Sequence, residues 1–321
     1  MARVLVTRPL TKGGIDPLLE AGHEVVEPEG GHPPSPVELM ALAADCDGMV
    51  CHLTDRIDRP LLEAASEGRL RVVANAAVGY DNIDVTTAIR LGITVCNTPG
   101  VLDDTTADLA FLLILAATRL ASQSENDLRQ GRWTGWGFGD HLARDVHGRT
   151  LGLVGFGRIG RAVATRAAGF DMEVIHTARH DTGVAGFVPK LEELLARSDI
   201  VSLHVPLSEA TFHLIGPDQL ALMKPTAVLV NTARGPVVDE DALVDALEGG
   251  RLHAAGLDVF TGEPSVNPRL LSAPRTTLLP HIGSATIETR TRMARLACQG
   301  VCDVLAGRVP LNAVPPPAPS S

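Results

Sequence analysis

Segments typical of buried strands alternate with segments typical of helices along almost the whole chain. In the first third, the strand candidates are RVLVT (3–7), DGMVCHL (47–53), RVVANA (71–76) and ITVCNT (93–98). Further on, a second series begins within 150–160 and continues at 172–177, 199–206, 227–235, 253–260 and 276–283. Because helical crossovers between such strands make them parallel, the alternation predicts an α/β fold with two doubly wound parallel sheets.

The segment NTPG (97–100) interrupts this alternation and predicts a crossing between two domains. A long helix is expected from about 103 to 130, and another over 284–307 that returns to the first domain. We therefore predict two α/β domains, one of residues 1–98 and 285–321 and one of residues 99–284.

Composition narrows the class of protein. The 321 residues are 45% hydrophobic, enough for two cores, and the net charge of -10 argues against a nucleic-acid partner. The apolar run in MARVLVTRPL is too short for a signal peptide, and no stretch reaches transmembrane length, so no membrane partner is expected. Five cysteines without framework spacing suggest a reducing, cytoplasmic location, and Cys298 and Cys302 lack partners for a metal site.

The segment TLGLVGFGRIG (150–160) places glycines between a strand and a helix. Gly155, Gly157 and Gly160 follow the pattern G-x-G-x-x-G, in which the backbone approaches a pyrophosphate at the helix N-terminus. The whole turn, with Phe156, Arg158 and Ile159, is expected to bind the cofactor. A simple strand-to-helix turn is the alternative interpretation.

The end of the next strand indicates which dinucleotide binds. An acid is expected about 20 residues after the glycines, where it binds the ribose hydroxyls. Ala178 stands at that position, and Arg179 and His180 follow it. Because a guanidinium pairs with phosphate, we predict NADP(H) as the preferred cofactor, with NAD(H) possible. Arg179 stacked on adenine is the alternative.

Three ionisable residues stand at the ends of separate strands in the second series: Arg234, Glu263 and His281. In such a set, arginine holds an anionic substrate and polarises a carbonyl, while histidine exchanges a proton at the same oxygen. A carboxylate beside the histidine orients it and favours the imidazolium. Each residue alone has an ordinary structural interpretation; together, after a dinucleotide loop, they predict an oxidoreductase.

Nearly the whole chain resembles the D-isomer-specific 2-hydroxyacid dehydrogenases. The resemblance lies in AAVGYDNID (76–84), NTPGVLDDTTADLAFLLILAATR (97–119), TLGLVGFGRIGRAVA (150–164), VPLSEATFHLI (205–215), MKPTAVLVNTARGPVVDEDAL (223–243), GLDVFTGEP (256–264) and LPHIGSAT (279–286). Within the family, the chain most resembles the glyoxylate/hydroxypyruvate reductases, some of which also reduce 2-ketogluconate.

The resemblance implies that residues 99–284 form a Rossmann-type, dinucleotide-binding domain and that residues 1–98 and 285–321 form a flavodoxin-like, substrate-binding domain. It also implies roles for individual residues. Arg234, Glu263 and His281 would be the catalytic triad, and the backbone at Val78 and Gly79 would bind the substrate carboxylate between the domains. Asp258 would hold the nicotinamide carboxamide. The remaining cofactor contacts would be Thr106, His204, Val205, Pro206, Thr232, Ala233 and Gly283.

The reaction implied is reduction of a small 2-keto acid, such as glyoxylate or hydroxypyruvate, to the D-2-hydroxy acid. The family also implies a hinge near Thr98–Pro99 and a homodimer formed through the helix that follows it. The tryptophan-containing segment 131–148 would then lie on the partner subunit or the cleft. Two alternatives stay open. One is an NAD-dependent D-3-phosphoglycerate or D-lactate-type dehydrogenase, which Ala178 disfavours. The other is a non-catalytic, dinucleotide-sensing protein like the corepressors that share this fold. A formate dehydrogenase is disfavoured, because those relatives carry glutamine where Glu263 stands.

Overall fold

The computed structural model describes residues 1–28, 30 and 32–316. The chain forms two compact units. One unit contains Met1–Leu102 and the residues from Ser284 onward, and the other contains Asp103–Gly283.

The strands and helices of the first unit alternate as the sequence predicts. The strands are β1 (Arg3–Val6), β2 (Glu24–Val26), β3 (Gly48–Cys51), β4 (Val72–Asn75) and β5 (Thr94–Cys96). The helices are α1 (Asp16–Glu20), α2 (Pro36–Ala44), α3 (Arg59–Ser66) and α4 (Val85–Arg90). Strand β2 has no counterpart among the predicted strands, because its three residues, EVV, are too few for a periodic signal.

The second unit contains the other strand series. Its helices are α5 (Asp103–Thr118), α6 (Ala121–Arg129), α7 (Arg158–Ala167), α8 (Leu191–Arg197), α9 (Pro217–Leu222), α10 (Glu240–Glu248) and α11 (Pro268–Ser272). Its strands are β6 (Thr150–Val154), β7 (Glu173–Thr177), β8 (Ile200–Leu203), β9 (Val228–Asn231), β10 (Ala254–Leu257) and β11 (Thr276–Leu278). The final helix, α12 (Ile287–Leu305), belongs to the first unit.

Both sheets are parallel and doubly wound, so the predicted fold class is confirmed. The first sheet has the order β2-β1-β3-β4-β5, the flavodoxin-like arrangement. The second has the order β11-β10-β9-β8-β6-β7, in which β7 and β8 lie on opposite sides of β6. Ligands bind outside the carboxyl ends of the strands at such a reversal, here after β6 and β8.

Apolar side chains cover both faces of each sheet, as expected for parallel strands. In the second unit, residues of α5 and α7, such as Leu113 and Val163, pack against Leu151 and Leu153 of β6. On the opposite face, Leu194 of α8 and Leu243 of α10 share a cluster with strand residues including Leu229. This burial fixes the strand ends, and the loops beyond them carry the polar residues described below.

The helix expected over 103–130 is in fact two helices, which corrects the prediction. Leu120 adopts a left-handed backbone conformation with φ 52°, which ends the first helix, and α6 starts at Ala121. The sequence carries no glycine or proline at this break, so local signals did not reveal it. Among the described residues, no single helix is long and apolar enough to cross a membrane; α5 and α6 meet that test only as a pair bent by 66°.

Candidate active site

The three glycines after β6 have three different surroundings. Gly155 has φ +95°, and a Cβ there would lie 2.5 Å from the carbonyl oxygen of His204. A Cβ on Gly160 would lie 2.4 Å from the carbonyl oxygen of Gly155, so this glycine permits close packing of α7 against the turn. By contrast, a Cβ on Gly157 would meet no atom within 4 Å. The open side of the turn is therefore at Gly157, where a pyrophosphate can approach the backbone.

Helix α7 begins at this turn without a side-chain cap. Gly157 is its N-cap residue, and the first turn contains no acidic residue, so the N–H groups there suit an anion. Arg158 is exposed and forms an ion pair with Asp103 at 3.2 Å, while Ile159 is partly buried. The Phe156 side chain is buried, so only its backbone can meet a ligand at this turn.

The residues after β7 are exposed. Ala178 is partly buried, and Arg179 and His180 are accessible to solvent. Within the described part of the chain, no hydrogen bond or ion pair engages the Arg179 guanidinium. The loop therefore offers a cation, and no carboxylate, where the ribose of a dinucleotide is expected.

His204, Val205 and Pro206 follow β8, on the other side of the reversal in strand order. The His204 Nε2 lies 2.9 Å from the Ser202 hydroxyl, and burial lowers the pKa of His204 to about 4. The imidazole is therefore neutral near pH 7. Val205 borders Gly155, since a Cβ on that glycine would lie 3.0 Å from the Val205 Cγ1.

The turn after β9 carries Arg234. Asn231, which the sequence analysis missed, holds this turn: its Nδ2 donates to the carbonyl of Arg234 at 2.8 Å, and its Oδ1 accepts from the Ala233 N–H at 2.9 Å. The Arg234 guanidinium donates to the Ala233 carbonyl at 2.8 Å. The Thr232 hydroxyl is buried without a partner among the described residues, so it is available to a ligand.

His281 and Glu263 are in direct contact. The His281 Nδ1 lies 2.7 Å from the Glu263 Oε2, and their side chains are 25% and 21% exposed. The other carboxylate oxygen of Glu263 accepts from the Phe260 N–H at 2.8 Å. Because Nδ1 is engaged, Nε2 is the ring nitrogen left for a reacting group. Arg234 is linked to this pair electrostatically, since its charge helps to lower the pKa of Glu263.

Asp258 lies beside the pair and is almost fully buried. Its two carboxylate oxygens accept from the N–H groups of Ile282 and Gly283, both at 2.8 Å. A Cβ on Gly283 would lie 3.2 Å from the Asp258 Oδ2 and 3.7 Å from the Thr106 hydroxyl. Asp258, Gly283 and Thr106 therefore form one cluster beside His281.

Glu240 is a second residue that the sequence analysis missed. Its buried Oε1 accepts from the Thr261 N–H at 2.6 Å. The loop is also packed closely, because a Cβ on Gly235 would lie 2.0 Å from the Phe260 carbonyl carbon. The segment that carries Glu263 is thus packed against Gly235, the residue after Arg234. The only sequence signal was an acid at the start of a helix, which usually indicates interaction with the helix dipole.

Val78 and Gly79 belong to the first unit. The Val78 carbonyl accepts from Asn97 at 2.8 Å, and the Gly79 carbonyl accepts from Asn75 at 2.7 Å. Because the C=O and N–H of one peptide point in opposite directions, these bonds turn the next N–H groups away from the asparagines. Over the described residues, no group of three or more histidine, cysteine or acidic side chains could hold a metal ion.

Comparisons with known proteins show what the chain is similar to. Residues 111–283 match the family described as D-isomer specific 2-hydroxyacid dehydrogenase, NAD binding domain. A glyoxylate reductase from Korarchaeum cryptofilum (strain OPF8) is 47% identical over 321 residues, covering 97% of this chain and 95% of that relative.

Two solved structures are also similar over almost their whole length. One is a protein from Thermus thermophilus, with TM-score 0.91 and 43% identity, covering 98% of this chain and 100% of that one. The other is an NADPH-dependent glyoxylate/hydroxypyruvate reductase from Sinorhizobium meliloti, in complex with NADP and malonate. It has TM-score 0.86 and 36% identity, covering 97% of this chain and 96% of that one.

Proposed function

The chain belongs to the family of D-isomer-specific 2-hydroxyacid dehydrogenases, and from this premise we propose that it reduces a small 2-keto acid to the D-2-hydroxy acid with NADPH. Glyoxylate and hydroxypyruvate are the proposed substrates. The observation that carries the proposal is the contact of 2.7 Å between the His281 Nδ1 and the Glu263 Oε2. Relatives named for glyoxylate or hydroxypyruvate reduction support the choice of substrate.

The chain's own residues fit a nicotinamide dinucleotide. The open side at Gly157 and the uncapped start of α7 suit the pyrophosphate, and the unpartnered Thr232 hydroxyl offers a further polar contact. Asp258 and Thr106 would hold the nicotinamide end, and His204–Pro206 would border the adenosine. When bound, the reduced dinucleotide supplies the hydride.

The three proposed catalytic residues bind the charged substrate and transfer a proton to it. Arg234 binds the substrate carboxylate and polarises the carbonyl. The imidazolium of His281 donates its Nε2 proton to the carbonyl oxygen as the alcohol forms. Glu263 orients the ring and stabilises its positive charge, because its carboxylate accepts the Nδ1–H.

The preference for NADPH rests on the loop after β7. Ala178 cannot repel a 2′-phosphate, and Arg179 is exposed and available to pair with one. The NADP complex of the Sinorhizobium meliloti relative supports this choice.

We also infer a homodimer in a reducing, cytoplasmic compartment. All five cysteines are buried as free thiols, which suits reducing conditions. The segment 131–148 exposes Trp133, Trp136, Phe138 and Leu142. Such a cluster of apolar side chains suits a surface that a second copy covers.

The direct experiment measures NADPH oxidation by glyoxylate and by hydroxypyruvate in wild type and in His281→Ala. We expect wild-type turnover, and a loss of about 10²–10⁴-fold in kcat in the variant, since a positioned acid contributes that factor. NADPH binding by the variant, followed by fluorescence titration, should be unchanged. Full activity of His281→Ala would reject the role of this residue. Wild-type binding of NADPH without turnover of either acid would favour the dinucleotide-sensing alternative.

A second experiment tests the cofactor. Arg179→Ala should weaken NADPH binding roughly tenfold or more, the factor for a lost charge-assisted contact of about 1.5–3 kcal/mol. NADH, which lacks the 2′-phosphate, should bind nearly as before. Equal losses for both dinucleotides would remove the argument for NADP(H).

A further inference from the structure

The loop that carries Arg179 is closed at a single residue, His176. The His176 N–H donates to the Gly186 carbonyl at 2.8 Å, and the His176 carbonyl accepts from the Val188 N–H at 2.8 Å. Both backbone groups of one residue in β7 therefore bind the returning chain. The chain leaves the sheet after Thr177 and returns beside His176 at Phe187 and Val188. Residues 177–187 are here called the 177–187 loop.

The side chain of His176 also reaches into this loop. The ring is fully buried, and its Nε2 lies 2.7 Å from the Thr182 hydroxyl. The Thr182 oxygen accepts in addition from the Val184 N–H at 3.3 Å. One buried imidazole thus links the end of β7 to the middle of the 177–187 loop.

The same ring lies near two aromatic side chains. On one side the ring stacks on Phe156, with 3.7 Å between centroids and 18° between planes. Phe187, at the end of the 177–187 loop, lies 5.8 Å away and is tilted by 51°. Phe156 stands between the first two glycines of the pyrophosphate turn. His176 therefore joins the turn proposed for the pyrophosphate to the loop proposed for the 2′-phosphate.

Arg179 has no comparable support of its own. It and His180 are exposed, and among the described residues no side-chain partner holds the guanidinium. The return of the loop is tightly constrained, because Gly186 has φ +87° and a Cβ there would lie 2.4 Å from the Val174 carbonyl oxygen. The chain after Arg179 is thus fixed where it returns to His176.

We propose that His176 is a positioning residue for cofactor selection, which holds the 177–187 loop against the glycine turn so that Arg179 is placed to bind a 2′-phosphate. The inference rests on the proposed preference for NADP(H). The physical reason is that a loop ordered before binding loses less conformational entropy when the phosphate arrives. His176 contacts neither the substrate nor the cofactor in this proposal; it acts through Arg179.

The test uses Thr182→Val, which removes the hydrogen bond to His176 and preserves the shape of a partly buried side chain. Thr165→Val is the matched control, since among the described residues its hydroxyl bonds to the Arg161 carbonyl of its own helix, at 3.1 Å, and to no other group. We expect Thr182→Val to raise the Kd of NADPH about fivefold, the factor for a lost neutral hydrogen bond of about 1 kcal/mol. The Kd of NADH, and both values in Thr165→Val, should change by no more than about twofold.

A second readout does not depend on the cofactor. Hydrogen exchange of the amides between Gly183 and Val188 should be faster in Thr182→Val without ligand, and unchanged in Thr165→Val. His176→Phe, which keeps an aromatic ring against Phe156 but cannot bond to Thr182, should show the same loss of NADPH binding and the same faster exchange.

The outcomes separate this inference from the proposed function. If wild type prefers NADPH and Arg179→Ala loses that preference while Thr182→Val and His176→Phe keep it, the role of His176 is wrong and the cofactor proposal stands. Equal weakening of NADPH and NADH in Thr182→Val would also overturn a selective role. If wild type shows no preference, the cofactor proposal fails, and the selecting role of His176 fails with it.

Discussion

The pKa values of two carboxyl groups, five residues apart in the chain, are shifted in opposite directions. Burial raises the pKa of Asp258 to about 6, although the N–H groups of Ile282 and Gly283 favour its charged form. Burial also acts to raise the pKa of Glu263, but the hydrogen bonds from His281 and Phe260 and the charges of His281 and Arg234 outweigh it, and the pKa is lowered. Glu263 is therefore the carboxylate suited to stabilise an imidazolium at neutral pH.

Glu263→Gln tests the role of this charge. The amide oxygen can still accept from the His281 Nδ1–H, but the negative charge beside the ring is lost. We expect kcat to fall about 10²-fold, the lower range for impaired acid–base catalysis, with little change in the Kd of NADPH. Steady-state kinetics with glyoxylate and titration of the cofactor provide both values. Unchanged kcat would show that the contact is structural only.

The raised pKa of Asp258 predicts how the free energy of unfolding depends on pH. Because its pKa is raised to about 6 in the native state, the native state binds more protons on Asp258 than the unfolded state between about pH 4 and pH 6. The contribution of Asp258 to the free energy of unfolding therefore falls as pH rises through that window.

Urea unfolding of wild type and Asp258→Asn from pH 4 to pH 7 measures this contribution. The asparagine does not titrate, so the stability of wild type relative to the variant should decrease with rising pH and level off above about pH 6. A difference that increases over the same range would contradict the burial of this carboxyl group.

At the scale of elements, the turn between β6 and α7 has room for a side chain at one glycine and none at the other two. Gly155 and Gly160 are required by packing, since a Cβ would lie about 2.5 Å from carbonyl oxygens at either position. Gly157 faces open space and has φ -77°, which any residue can adopt. Glycine at 157 is thus not needed by the fold, and we expect it to be needed by the ligand.

Gly157→Ser separates these two requirements. Serine is a good N-cap residue, so the free energy of unfolding should stay within about 0.5 kcal/mol of wild type or increase. NADPH binding should weaken roughly tenfold or more, because the added atoms occupy the space of a pyrophosphate and displace a contact worth at least about 1.4 kcal/mol.

Gly169→Ser is the control for this variant, because a Cβ at Gly169 also meets no atom within 4 Å and the residue lies outside the turn. It should leave both stability and binding unchanged. Denaturant unfolding and fluorescence titration measure the two quantities. Tight NADPH binding by Gly157→Ser would place the pyrophosphate elsewhere.

At the scale of the whole molecule, the exposed apolar side chains of segment 131–148 predict the oligomeric state. Trp136 is 81% exposed and Phe138 is 89% exposed, and their rings form an edge-to-face pair with centroids 6.3 Å apart. Apolar side chains concentrated in one loop usually mark an interface.

Light scattering after size exclusion should therefore show a dimer for wild type and a monomer for the double variant Trp136→Ser/Phe138→Ser, both at micromolar concentration. Leu271→Ser is the control, because Leu271 is 61% exposed on a different element, α11. This variant should have the oligomeric state of wild type. A wild-type monomer would reject the dimer, and a dimeric double variant would place the interface on another surface.

Some features were determined by local sequence alone. The alternation of apolar strands with helices predicted the α/β class, and the structure confirms it. Short segments of sequence predicted the glycine turn, because pyrophosphate binding needs particular residues at fixed spacing. The same spacing showed that Ala178 and Arg179 stand where an acid is expected. The family resemblance drawn from such motifs is confirmed by the match over 111–283. The roles assigned to Arg234, Glu263 and His281 remain predictions.

Other features were decided only by tertiary structure. The break at Leu120, the short β2 strand, and the supporting roles of Asn231 and Glu240 carry no strong local signal. Glu240 bonds to a residue 21 positions away. The ring of His176, in β7, stacks on Phe156, which follows the neighbouring strand β6. The physical reason is that motifs record contacts between near neighbours or with a ligand, whereas hydrogen bonds and ring contacts between distant segments exist only after the sheets have formed.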